Sequence, residues 1–125
     1  MNKKIKIALW VLLFIPIDGF SKVRTIYTND QKMNSITLQL GKSTVLRFSS
    51  SPIKAVMGNP DQVDVEFIGN DLALRPKGMV ETNLFVYTKG KRVFGFLIRV
   101  AKGKSYDDLV HVRWRFNRRI SVDNK

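Results

Sequence analysis

The sequence predicts an all-β fold: a small antiparallel β-sandwich or partly open barrel of about seven to eight short strands. Three observations carry this prediction. Apolar and polar residues alternate in short runs, as on strands with one face buried. Clusters of Gly, Asn, Asp and Pro interrupt those runs at intervals of about eight to twelve residues. No stretch after Ser21 sustains apolar residues at helical spacing over about ten positions or more.

The first element is a leader. Met1 to Ser21 places Lys3, Lys4 and Lys6 ahead of an apolar run from Ile7 to Ile17, with Gly19 and Ser21 as small residues at the −3 and −1 positions of a cleavage site. This is the pattern of a secretory signal peptide. A helix over the run extends about 16 Å against a hydrocarbon core of about 30 Å, and Pro16 and Asp18 further disfavour a membrane anchor. The expectation is an exported, periplasmic protein with residues 1–21 as signal peptide, 22–116 as one β-domain and 117–125 as a polar basic tail.

The strands follow in order. Val23 to Thr28 is a short strand and Asn29 to Asn34 a polar turn. Ser35 to Leu40 alternates, with Ile36, Leu38 and Leu40 on one face. Gly41-Lys42 breaks the run and Ser43 to Phe48 resumes it, which predicts a hairpin. Ser49 to Pro52 is a loop, Ile53 to Met57 a strand, and Gly58-Asn59-Pro60-Asp61 a turn in which glycine and proline fix unusual backbone angles. Val63 to Val100 reads as two antiparallel hairpins. In the first, Val63, Val65 and Phe67 alternate with Asp64 and Glu66, Gly69-Asn70 makes a two-residue turn, and Leu72 and Leu74 return. The second runs from Asn83 to Tyr87, turns at Lys89-Gly90-Lys91 and returns as Arg92 to Val100. That return strand is so apolar that it is expected at a sheet centre with both faces covered. Val110 to Phe116 closes the series, with Val110, Val112, Trp114 and Phe116 on one face and His111, Arg113 and Arg115 on the other.

Composition narrows the function. A length of 125 residues suffices for one modest core, and a hydrophobic fraction of 44% fits a globular protein. There are 22 Lys and Arg against 10 Asp and Glu. Because the leader holds three of those lysines and one of the aspartates, a formal +10 remains on residues 22–125. Such an excess suggests nucleic acid in a cytosolic protein, but export makes nucleic acid an unexpected partner. With no cysteine, neither a disulfide nor a lipid-bearing cysteine can be built.

Catalytic chemistry is sparse. His111 is the only histidine, on the polar face of a terminal strand, so the usual zinc and transition-metal sets and a serine triad have little to draw on. Asp64 and Glu66 solvate the outer face of a sheet, and Asp107-Asp108 lack the further oxygen ligands that calcium needs. No catalytic residue, metal or cofactor is expected. The candidate partner-binding run is Arg113, Trp114, Arg115, Phe116, Arg118 and Arg119, because interleaved arginine and aromatic residues suit anionic or protein surfaces. The plainer reading of the same run makes Trp114 and Phe116 core and the arginines a solvated face.

Several of these signals fall together in a family pattern. Gly41-Lys42-Ser43 after a strand, Ser51-Pro52-Ile53-Lys54 with Val56, Gly58-Asn59-Pro60 with Val63 and Val65, Thr82-Asn83-Leu84 and a closing apolar strand run from Leu38 to Val100. This run resembles the N-terminal β-domain of bacterial pilus-formation and secretin proteins. Its second half, with Gly69-Asn70, Leu72, Arg75-Pro76-Lys77, Thr82-Asn83-Leu84, Val86, Thr88, Arg92 and Phe96, is also similar to the TrbG/CagX family of type IV secretion outer-membrane core subunits. The resemblance implies an exported, non-catalytic module that packs against protein subunits of an envelope-spanning assembly. It marks Gly41, Lys42, Ser43, Pro52, Lys54, Gly58, Pro60, Thr82, Asn83 and Leu84 as family positions, mainly structural. A secretin continues into a pore-forming β-region, whereas this sequence ends at Lys125, so the expectation is a stand-alone accessory or adaptor domain. Self-association and peripheral contact with an anionic membrane surface are further expectations. The competing functional reading is a periplasmic binder of anionic lipid headgroups or cell-wall polymer.

Overall fold

A computed structural model of the chain describes residues 21–103 and 105–116; residues 1–20 of the expected leader and the expected tail lie outside them, while Ser21, the last residue of that leader, opens the first strand. The described residues contain no helix and form nine strands: β1 (Ser21–Thr28), β2 (Met33–Gln39), β3 (Thr44–Phe48), β4 (Pro52–Met57), β5 (Val63–Ile68), β6 (Asp71–Pro76), β7 (Glu81–Thr88), β8 (Val93–Ala101) and β9 (Tyr106–Trp114). They build an open sandwich, not a closed barrel. One sheet has the order β1-β9-β3-β6-β5 and the other β2-β8-β7-β4.

The two hairpins expected from the sequence are present. β5 and β6 pair antiparallel down to Ile68 opposite Asp71, around a turn in which Gly69 takes φ +59°, a left-handed value that glycine adopts without steric cost. β7 and β8 pair antiparallel down to Tyr87 opposite Val93. Within that turn Lys91 takes the left-handed conformation, at φ 62°. The two hairpins belong to opposite sheets.

Three sequence expectations change. First, β2 and β3 do not form a hairpin: β2 pairs with β8, and β3 with β6 and β9. Most connections cross from one sheet to the other, so every odd-numbered strand ends at one end of the sandwich and every even-numbered strand begins there. Strands of like parity that share a sheet therefore run parallel, as β1 with β9, β3 with β9, and β2 with β8 do. The crossing through the other sheet supplies the long connection that parallel pairing requires. Both sheets are thus mixed, where the sequence suggested antiparallel pairing throughout. Second, β8 lies inside its sheet between β2 and β7, but only one face is covered: Phe94, Phe96, Ile98 and Val100 are buried, while Leu97 and Arg99 face outward. Third, Leu40 lies past the end of β2 and is exposed, and Phe67 and Phe116 are exposed as well.

The core sits between the sheets. Ile36, Leu38, Leu84, Val86, Phe96 and Ile98 from one sheet meet Leu46, Leu72, Leu74, Val110 and Val112 from the other. Burying each such side chain contributes about 1.5–3 kcal/mol. Phe48 reaches across to Phe94 and Phe96 in edge-on contacts with centroids 5.2 and 6.3 Å apart, a geometry that suits the ring quadrupoles.

The two sides of the sandwich differ. On the β1/β2 side, Asp107 at the start of β9 is only 1% exposed and accepts from Arg24 Nε at 2.8 Å and Nη2 at 3.1 Å. Asp107 also accepts from the Thr37 backbone N–H at 2.9 Å, while Arg24 Nη2 donates to the Ser35 carbonyl at 2.6 Å. These side chains occupy outward backbone groups of the edge strand β2 and tie the sheets together. Asn34 Nδ2 adds a donation to Thr28 Oγ1 at 2.7 Å. On the opposite side β4 and β5 are the edge strands, and a groove of about 280 Å³ lies between them, lined by Ala55, Met57, Val63, Val65 and Phe67 among others.

Candidate functional site

The end of the sandwich where the odd strands finish gathers the basic residues. Register places Tyr27 beside Arg113 and Thr28 beside Trp114, and the Arg115 N–H donates to the Thr28 carbonyl at 2.8 Å, which extends the pairing past β9. On the outer face the Arg115 guanidinium lies over the Tyr27 ring, 4.8 Å from its centroid. At the mouth of the sandwich Arg92 lies 4.6 Å from the Trp114 centroid and 5.0 Å from that of Phe116. Trp114 is half-buried, packs against the core and meets Phe94 edge-on at 5.4 Å, whereas Phe116 is 71% exposed. The plainer reading of this run thus holds for the tryptophan and fails for the phenylalanine.

Stacking of this kind contributes about 0.5–1 kcal/mol at exposed sites and restricts the attitude of each guanidinium. Among the described residues no carboxylate pairs with Arg92, Arg113 or Arg115. The β7–β8 turn adds Lys89 and Lys91, and Lys32 follows β1. Among the described residues the acidic ones at this end are Asp30 and Asp71, with Glu66 partway along β5, and Asp71 is held by Arg47 Nε and Nη2 at 2.8 and 2.9 Å. That hydrogen bonding lowers the Asp71 pKa and raises that of Arg47; partial burial opposes the shift on Asp71, and the charges of Arg47 and His111 reinforce it. Of the sequence-predicted run, Arg113, Trp114, Arg115 and Phe116 come together here, and Arg118 and Arg119 lie outside the described residues. Arg92 and Tyr27 were missed: they are distant in sequence from the run, and only the pairing of β1 with β9 and the approach of β8 bring them in.

The family positions do not form one cluster: most lie at the other end or on the outer face of the β2-β8-β7-β4 sheet, Pro52 lies at the basic end and Leu84 in the core. Gly41, Lys42 and Ser43 form the turn into β3, where Gly41 takes φ +80° and Ser43 Oγ accepts from Arg75 Nε at 3.3 Å. Pro52 opens β4 and is buried, and Lys54 pairs across from Tyr87 and is exposed. The Gly58 N–H donates to the Asn83 carbonyl at 3.0 Å. A Cβ at Gly58 would lie 2.6 Å from Asn83 Oδ1 and 2.7 Å from Thr82 Oγ1, so a side chain there would crowd both. Pro60 sits in the exposed turn that follows, and Leu84 is fully buried. Gly58, Thr82 and Asn83 thereby border one open groove of about 650 Å³ that also takes in Ser35, Leu97 and Arg99. Its lining holds hydroxyls at Ser35, Thr37 and Thr82 and one carboxylate at Glu81 but no histidine or cysteine, and among the described residues no group of three or more His, Cys, Asp or Glu is placed to hold a metal ion.

A family model for the N-terminal region of pilus formation proteins matches residues 32–101, more than half of the 125-residue chain. The chain belongs to that family. The match takes in the whole β2-β8-β7-β4 sheet, together with β3, β5 and β6, and contains every family position from Gly41 to Leu84. Of the two resemblances in the sequence it names the pilus-formation one. The family is one of structural domains of pilus formation and secretion. β1 and β9 lie outside the matched segment, and with them Tyr27, Arg113, Trp114 and the following Arg115 and Phe116, whereas Lys32, Lys89, Lys91 and Arg92 lie within it. No curated protein matches the chain.

Proposed function

We propose that this protein is an exported, non-catalytic adaptor or structural subunit of a bacterial envelope secretion, conjugation or pilus apparatus, working through contacts with neighbouring subunits. Membership of the pilus-formation family is the observation that carries the reading. The asymmetry of the sandwich supports the mode of contact. Its β1/β2 side is tied by Arg24 and Asp107, whereas among the described residues β4 and β5 each present an edge with no strand partner beside a mainly apolar groove. An extended segment of a neighbouring subunit that added to the β4 edge would gain main-chain hydrogen bonds and seat alternate side chains between the sheets.

The test is fractionation of cells that make a C-terminally tagged chain, followed by sizing of the gently solubilised envelope and mass spectrometry of the proteins that travel with it. The expected result is a form shortened by the leader that co-migrates with secretion or pilus subunits. A shortened, freely soluble monomer with no companions overturns the reading.

A further inference from the structure

We propose that the basic, aromatic end of the sandwich is a docking surface for an anionic membrane, so that the molecule stands end-on to phospholipid headgroups. The inference is independent of the assembly reading: failure of either leaves the other intact. It rests first on the distribution of charge. Lys32, Lys89, Lys91, Arg92, Arg113 and Arg115 gather at this end with Asp30 and the already paired Asp71. Asp61, Asp64, Glu81, Asp107 and Asp108 lie towards the other end, among the basic residues there, and Glu66 lies near the middle of β5. The molecule is therefore electrostatically polar along its strands, and an anionic surface would orient it before contact.

The aromatic rings favour a membrane over a soluble polyanion. One face of the Tyr27, Trp114 and Phe116 rings is already occupied by a guanidinium, which leaves a stacking base at most the other face of the exposed Tyr27 and Phe116 rings. What the end presents outward is guanidinium and ammonium N–H groups beside two exposed rings, Tyr27 at 50% and Phe116 at 71%. Cations that meet phosphate next to rings that sit at headgroup depth match the membrane–water interface, where both kinds of group are satisfied at once.

The experiment uses the purified full chain, floated with vesicles of phosphatidylcholine alone or of phosphatidylcholine with phosphatidylglycerol. Binding is expected only to the anionic vesicles, falling about tenfold or more between 0.1 and 0.5 M salt as surface charge is screened. Lys89→Glu with Arg113→Glu, both at exposed positions, should weaken binding about tenfold or more with an unchanged melting temperature. Lys77→Glu with Lys102→Glu, the same change in net charge at the other end, should leave it within about twofold. Phe116→Ser alters no charge and should weaken binding about fivefold. Equal binding to both vesicles, equal loss in the two charge-reversed pairs, or no effect of Phe116→Ser, which would point to a soluble polyanion, each overturns the proposal.

Discussion

Asp107 has the most to lose from a single substitution. Its carboxylate is buried, takes both donors of Arg24 and the Thr37 N–H, and stands where the two sheets meet. Asp107→Ala leaves a guanidinium and a backbone donor without their partner. Removing one member of a fully buried pair costs about 3–5 kcal/mol, but Arg24 is 36% exposed and water recovers part of that, so about 2 kcal/mol is expected in urea unfolding. Lys91 offers the opposite case. It holds φ 62°, where a Cβ is strained, and Lys91→Gly should raise stability by about 0.5–1 kcal/mol in the same measurement. Asp71 supplies the pH dependence. Its folded pKa is lowered, chiefly by the hydrogen bond from Arg47, so its contribution is fully present above the unfolded value of 3.8 and is lost as pH falls through the lower folded value. The stability difference between the natural chain and Asp71→Asn should therefore stay constant above about pH 5 and shrink below about pH 4.

At the scale of the element, the edge of β4 can be tested without disturbing its pairing. The Gly58 N–H points to β7, so with the two-residue period of a strand the N–H groups of Met57 and Ala55 point away from it. Ala55→Pro removes one of those outward donors and spares the β4–β7 ladder, as proline does on edge strands. If a neighbour's strand adds here, Ala55→Pro should leave the melting temperature of the isolated protein within a few degrees of the natural chain and abolish co-migration with the large complex. Retained co-migration would move the protein contact elsewhere. Elements also show where sequence signals were sufficient. The β5–β6 and β7–β8 hairpins were legible because each is closed by a local turn, at Gly69-Asn70 and at Lys89-Gly90-Lys91. The connection at Gly41-Lys42 looked much the same, yet it crosses between the sheets, because a turn signal marks a reversal and not the sheet that the next strand joins.

The whole molecule is knit by strands far apart in sequence. β9 lies between β1 and β3, and its Val110 and Val112 are core, although the family match ends before it. A fragment of residues 32–101 would leave β3 unpaired on one side and the core open, so it should lack the dispersed amide resonances of a fold that the chain through residue 116 retains. A well-dispersed spectrum from the fragment would show that β1 and β9 are dispensable. By itself the sequence determined the all-β class, the approximate places of most strands, the two local hairpins and the family likeness, since each rests on residue alternation or turn chemistry within a short window; it started the last strand at Val110 and ran it to Phe116, where β9 spans Tyr106–Trp114. Only the tertiary structure decided the parallel pairs, the tie from Arg24 to Asp107, and the joining of Tyr27 and Arg92 to the run at Arg113. Those depend on which sheet each crossing strand enters, and that is set by how the apolar faces of all nine described strands bury one another.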